Sequence, residues 1–319
     1  MNAFPALHGL GVLKIKPMKQ IIFVIIGILA LPFCADAQYF LQYAQAGDQN
    51  YLSMHICTEK GSETVDSTYL TVSYRLTRKR FDNSEKWTII RCQYGHHIVL
   101  QTDMWLLYSK QQINGFNENI PKEKQIAVEE KMALSGNGPS NFFVEMIYDN
   151  AKNNYISICG DYFENNRPWQ YEERDVETEW VLQDSLKNIN GYVCSLAHTE
   201  FRGRTWSVWY APEIPVNMGP WKFNGLPGLI LWAADSNLDF VFECQTISQQ
   251  PEPIELNIYE SRNVSREKYL RYERLCHEQP YVVASSGQPA LVRVPNGTGG
   301  YIVLTDKNWT IPYNSIERE

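Results

Sequence analysis

Apolar and polar residues alternate with a period near two along most of this chain. The clearest run is 68–77, Thr-Tyr-Leu-Thr-Val-Ser-Tyr-Arg-Leu-Thr, rich in β-branched and aromatic residues. Runs of similar character cover 87–94 and 97–102, separated by turn material at Asp82-Asn83-Ser84 and Gly95. From residue 142 the pattern becomes regular. Strands are predicted at 142–148, 155–162, 168–171, 179–182, 192–198, 204–210, 229–234, 239–247 and 254–259. Asp149-Asn150 and Asn190-Gly191 have hairpin-turn chemistry, and Ser236-Asn237 turns the 229–234 run back onto 239–247. A weaker strand is expected at 39–46, and 51–66 has no clear period.

Helical spacing appears twice. A helical insert is expected near 121–134, opened by Pro121 and closed by Gly136-Asn137-Gly138-Pro139. A second helix near 265–277, capped by Asn263 or Ser265, carries Tyr269, Tyr272 and Leu275-Cys276 on one side. Beyond Pro280, the 281–283 and 291–294 runs are read as docking on a sheet edge, and 295–319 as a loose tail. The predicted fold class is mainly β: a broad, curved, half-barrel-like antiparallel sheet with one or two covering helices. The predicted domain runs over 38–278, followed by a C-terminal tail over 279–319.

The first 37 residues read as export machinery rather than fold. Lys14, Lys16 and Lys19 precede the apolar run 21–31, and Ala35-Asp36-Ala37 fits signal cleavage, with Met18 as an alternative start. Bulky Phe33 argues against lipidation at Cys34. No later segment has 18 consecutive apolar residues, so no transmembrane segment is expected after cleavage. The chain carries 29 basic and 36 acidic residues, a net of −7; loss of the leader leaves 26 against 35, or −9. That balance argues against nucleic acid and against anionic lipid as partners. Cys57, Cys92, Cys159, Cys194, Cys244 and Cys276 remain. Export to an oxidising compartment predicts at least one disulfide, without choosing among fifteen pairings. The alternative is that some are small buried hydrophobes.

The stretch 217–230 concentrates the backbone punctuation. Gly219-Pro220 and Asn224-Gly225 are turn signals, and 226–229 fits a type II turn with Pro227 second and Gly228 third, at positive φ. It reads either as a tight double turn whose Leu226, Leu229 and Ile230 plug the core, or as a loop closing over a ligand. The candidate binding residues cluster around it: Arg204, Trp206, Tyr210, Trp221, Lys222 and Asn224. Aromatic rings with a polar handle, an arginine fork and an amide suit a lipid headgroup, a peptide or a glycan. Arg204, Trp206 and Val208 are placed on one strand face, and Trp209 on the other.

No G-x-S-x-G, H-E-x-x-H, C-x-x-C, P-loop or G-x-G-x-x-G is present, so no catalytic set, metal site or cofactor is assigned. Glu213, Lys222 and Asp235 are acid–base candidates without a partner at a telling spacing. Adjacent His96 and His97 are expected on opposite strand faces, unable to chelate one ion together.

Trp180, Lys187, Gly191-Tyr192, Phe201-Arg202-Gly203-Arg204, Trp206, Trp209-Tyr210, Pro212-Glu213-Ile214-Pro215 and Gly219-Pro220 recur in an order that ends in the hexapeptide Gly225 to Ile230. This resembles the GLPGLI family, a Porphyromonas-type family of unknown function. The resemblance implies an exported protein and a fold type, and no reaction. Three functions are therefore expected in turn. The first is a non-catalytic β protein of the cell envelope binding an apolar ligand or a protein partner, periplasmic or outer-membrane-associated. It would be similar in fold style to the half-barrels of lipoprotein carriers. The second is an exported hydrolase with an unrecognised site, and the third is a structural component of an envelope complex.

Overall fold

One long strand organises the sheet. A computed structural model describes residues 59–80, 83–108, 136, 140, 142–161, 167–284, 293–295, 301–303 and 312–318. The leader, the 39–46 strand, the 121–134 helix and Cys57 lie outside the described residues. Strand β1 (Glu59–Lys79) runs for 21 residues. Its second half pairs on one side with β2 (Glu85–Gly95) and on the other with β11 (Phe240–Ser248), all antiparallel. From β2 the sheet extends through β3 (Ile98–Asp103), β4 (Glu145–Asp149), β5 (Asn154–Cys159) and β6 (Trp169–Arg174). From β11 it extends through β10 (Leu229–Asp235), β9 (Arg204–Ala211), β8 (Tyr192–Phe201) and β7 (Val181–Ile189). The sheet has thirteen strands. The predicted antiparallel β class is the observed one, and alternation explains it: Leu70, Val72, Tyr74 and Leu76 are buried while the intervening positions are less so.

Connectivity forces the curvature. Strands β6 and β7 lie ten strand spacings apart along the sheet, yet only residues 175–180 join them. Ten spacings in a flat sheet span ~48 Å. The seven peptide steps from Arg174 to Val181 reach ~25 Å at most. The sheet must therefore curl until its two wings face each other across a seam, without closing into a barrel. An Arg202–Glu173 ion pair of 2.5 Å crosses that seam from the β8–β9 turn to β6.

The outer face is covered locally. The first half of β1 pairs with β12 (Pro253–Tyr259). This ribbon packs Val65, Ile254 and Leu256 against Leu100, Ile147 and Ile158 on the back of β3 to β5. Because much of that half is exposed, it lacks the alternation seen in 68–77. The outer side of β6 pairs in parallel with β13 (Arg262–Asn263). Helix α1 (Arg266–Glu278) follows, N-capped by Ser265. It stacks Tyr269 on Tyr171 and Tyr272 on Trp169, with ring centroids 5.4 and 4.5 Å apart. Asp161 ties this corner by accepting from Trp169, Tyr272 and Arg262.

Two readings of the C-terminal region change. Residues 281–283 fall in a helical turn, α2 (Pro280–Ala284), rather than on a sheet edge. The 293–295 segment, β14 (Arg293–Pro295), pairs with β15 (Tyr301–Val303). Residues 312–318, read as part of a loose tail, pack firmly, with Ile316 2% and Glu317 4% exposed.

Candidate functional site

The interior of the half-barrel is filled by the chain itself. Between β9 and β10, residues 212–228 cross the concave face. Gly219 N–H donates to Phe223 O at 2.9 Å and Gly225 N–H to Asn217 O at 2.8 Å, closing a small loop. Trp221 stands near its tip with φ +57°, a left-handed conformation rare for a bulky residue. Gln101 on β3 holds it there: the Trp221 N–H donates to Oε1 at 2.7 Å, and Nε2 donates to the Trp221 carbonyl at 2.6 Å. Tyr94 Oη donates to Met218 O and Tyr74 Oη to Ile230 O. The rings then lock together, Trp221 lying 5.6 Å from Trp206 and 5.3 Å from Phe201, and Phe223 4.9 Å from Trp206. Each ring removes ~150–250 Å² from water, so each contributes on the order of 4–6 kcal/mol to holding the loop. Of the two readings of this stretch, the filled interior agrees with a segment that plugs the core, with Leu226, Leu229 and Ile230 buried beside Trp221 and Phe223.

The turn chemistry differs from expectation at one position. Gly225 has φ +88°, a conformation for which glycine is suited. Gly228 does not adopt positive φ, so the type II turn over 226–229 is not formed. Glycine is required there for closeness: a Cβ would sit 2.3 Å from the Ala211 carbonyl oxygen. A Cβ on Gly219 would meet Ile230 Cδ1 at 2.7 Å, so that glycine also serves close packing. Pro220 is buried in the plug and Pro227 is exposed beside Gly228.

Two buried cations fasten the plug and the C-terminal segment. The Lys222 side chain is fully buried and its Nζ has three acceptors, Glu173, Glu317 and Tyr171 Oη. Glu317 also receives Arg266 Nε at 2.6 Å. Burial alone would raise the Glu317 carboxyl, but Lys222 and Arg266 more than offset it and hold the group below its ordinary value. Arg204 projects inward from β9 and pairs with Asp235 at 2.8 Å. It also donates to the Ser315 and Ile316 carbonyls and to Asn314 Oδ1. Burial outweighs its carboxylate neighbours and lowers its pKa from the ordinary value.

These networks place most of the sequence-derived candidates away from solvent. Trp206, Trp221, Lys222, Arg204 and Tyr210 are all buried, at 0–5% exposure. The Arg204, Trp206 and Lys222 side chains spend their polar groups on partners inside the protein. Trp206 and Arg204 share the inner face of β9 with Val208, while Trp209 lies on the outer face under Lys187 Nζ. Glu213 is exposed and accepts from Val193 N–H; Asp235 is spent on Arg204 and Phe240 N–H.

Asn224, the sixth, is half-buried and lines a cavity. It holds the seam, its Nδ2 donating to Val176 O at 2.9 Å and its carbonyl accepting from Trp180 Nε1 at 2.7 Å. The cavity, about 480 Å³, opens at the rim where the plug meets β1 to β4. That size is within the ~300–1,000 Å³ of small-molecule sites. Tyr69, Tyr94 and Tyr148 supply rings, and Asn150, Asn153 and Asn217 supply amides. Glu177 adds a carboxylate, and among the described residues no lysine or arginine lines it. Tyr69 is 44% exposed and its ring lies 5.5 Å from that of His96. Burial raises the Tyr69 hydroxyl, and burial together with Asp175 and Asp149 raises that of Tyr148, so both stay protonated.

Gln101, Glu173 and Glu317 were not singled out from sequence. Gln101 continues the buried parity of Val99, and Glu173 that of Tyr171. A polar residue on the apolar phase of a strand was the available signal. His96 and His97 occupy the β2–β3 bend rather than a strand, and His198 Nδ1 lies 3.0 Å from Ser207 Oγ. Among the described residues no group of three metal-ligating side chains assembles. Cys92, Cys159, Cys194, Cys244 and Cys276 are buried free thiols, so no disulfide joins the described cysteines. Burial first, then Cys194, pushes the Cys244 thiol to about 12. No helix among the described residues is long and apolar enough to cross a membrane.

No curated protein matches. Among solved structures, PNGF-II in two crystal forms aligns at TM-score 0.40 and 14% identity over 65% of this chain. This chain spans 33% and 32% of those two chains. A putative outer membrane lipoprotein-sorting protein domain from Vibrio parahaemolyticus aligns at TM-score 0.19 and 9% identity over 66% of this chain and 92% of its own. In sequence, residues 198–232, which hold the end of β8, all of β9, the plug and the start of β10, match the family described as protein of unknown function (Porph_ging).

Proposed function

We propose that this is an exported, non-catalytic binding protein of the cell envelope that takes its ligand at the rim cavity. The leader-like first 37 residues and the GLPGLI-type hexapeptide support export. The observation that carries the rest is the filled interior. A half-barrel whose concave face is occupied by Trp221 and Phe223 has no hollow for a bulky apolar ligand. Space for a ligand remains where Asn217, Met218, Asn224 and Gly225 of the plug face Tyr69 and Tyr148. The plug in this reading is architecture first, and it builds one wall of the site.

The Lys222 network does not resemble an active site, because a reactant cannot reach a fully buried Nζ with three acceptors in place. Native mass spectrometry of mature protein purified from the periplasm tests the reading. A small molecule that co-purifies and is lost in Tyr69→Ala supports it. A stoichiometric complex with another protein, unaffected by Tyr69→Ala, would replace it with the role of an envelope-complex component.

A further inference from the structure

We infer that the rim cavity is built for a neutral, hydroxyl-rich ring, that is, a saccharide; this rests on the binding role proposed above. The argument starts from charge. With no lysine or arginine among the described lining residues, a phosphate, a fatty-acid carboxylate or an acidic peptide finds no counter-charge there. The lining is also predominantly polar, which disfavours an acyl chain.

What remains is a particular mixture. Tyr69 offers a half-exposed ring braced by His96, a platform for the C–H face of a sugar. Asn217 presents an amide, which both donates and accepts, and Glu177 presents a carboxylate able to accept two hydroxyls. Neither side chain has a hydrogen-bond or ion-pair partner among the described residues, so both are available to a ligand.

The other polar groups are already fixed, and they make the wall rigid. Tyr148 Oη donates to Asn153 Oδ1, Asn153 Nδ2 donates to Asp175 Oδ1, and Asn150 Nδ2 donates to the His96 carbonyl. A rim whose scaffold is internally bonded and whose free groups are one ring, one amide and one carboxylate is pre-organised for alternating hydroxyls.

The test uses ¹⁵N-labelled mature protein and five probes: maltotriose, cellotriose, chitotriose, choline and decanoate. Amide shifts of Tyr69, Asn150 and Asn217 are followed during titration. At least one trisaccharide is expected to move them saturably. Tyr69→Ala and Asn217→Ala are each expected to weaken that binding tenfold or more, while Trp209→Ala, on the outer face of β9, leaves it unchanged. Tyr69 and Asn217 are exposed, so these variants keep the core; an unchanged amide spectrum elsewhere verifies it. Saturable shifts with choline or decanoate alone overturn the saccharide class and leave the rim site standing. No shift at the rim with any probe, or trisaccharide binding indifferent to both substitutions, overturns the saccharide inference and the rim site together.

Discussion

Replacing Lys222 by methionine is the sharpest perturbation of the plug. Methionine keeps most of the side-chain volume and removes the charge and three donors. The ammonium is fully buried between Glu173, Glu317 and Tyr171 Oη, so its loss leaves two buried carboxylates each short of one partner. Removing one member of a buried ion pair costs ~3–5 kcal/mol. Here Glu317 retains Arg266 and Glu173 retains Arg202, which places the expected cost at the lower end, about 3 kcal/mol. For a chain of this size that is a fall in Tm of about 6–12 °C.

Urea denaturation of Lys222→Met, Glu317→Gln and the double variant measures both the cost and the coupling. A coupling above ~1 kcal/mol is expected for groups in direct contact. The pH dependence has a defined sign. Glu317 titrates below its ordinary 4.5 in the fold, so it contributes stability above pH 4.5 that is lost as pH falls through the lowered value. Without Lys222 that value rises, and acid destabilisation begins at a higher pH. A stability change under ~0.5 kcal/mol, or additive substitutions, would refute the claim that this network fastens plug to tail.

Further outcomes follow from the same geometry. Gly228→Ala should cost more than Gly225→Ala in urea unfolding, because a Cβ at 228 meets backbone 2.3 Å away while 225 bears only the ~1 kcal/mol strain of positive φ. Gln101→Leu should destabilise by about 1–3 kcal/mol by orphaning the buried Trp221 amide and carbonyl, read as a lowered urea midpoint. A chain ending at residue 311 should lose more stability than Lys222→Met, because Arg204 loses Asn314, Ser315 and Ile316 at the same stroke; thermal unfolding decides. Thiol alkylation at pH 8 followed by mass spectrometry should leave Cys92, Cys159, Cys244 and Cys276 unmodified until denaturant is added, then label each as a free thiol.

Much of the sheet was legible because antiparallel strands with one buried face announce themselves by alternation. The twelve strands expected from sequence, from 68–77 to 254–259, each overlap one of β1 to β12 once ends are allowed to shift. The first half of β1 was illegible for a physical reason: it forms an exposed two-stranded ribbon and has little apolar face to show. Curvature was expected in general, but the seam was not, because it arises from joining two distant edges by residues 175–180. No local pattern encodes that.

The candidate site was legible in composition and misplaced in space. Arg204, Trp206, Trp221 and Lys222 stood out because they are large, polar-tipped and close together. Those same properties let them fill and fasten an interior. Tyr69, Asn217 and Glu177 are unremarkable in sequence, and the fold alone brings them to one rim. Gly228 illustrates the limit of turn rules: Pro-Gly suggested a positive φ, whereas the backbone of Ala211 and Pro212 is what excludes a side chain.

The central claim is that 217–225 is a plug rather than a lid, and hydrogen exchange at the Trp221 amide tests it most directly. That N–H is buried and donated to Gln101. The account predicts protection comparable to the core amides of β1 and β9, in the absence of any ligand. Exchange at the rate of an exposed loop, with protection appearing only when a ligand is added, would contradict it.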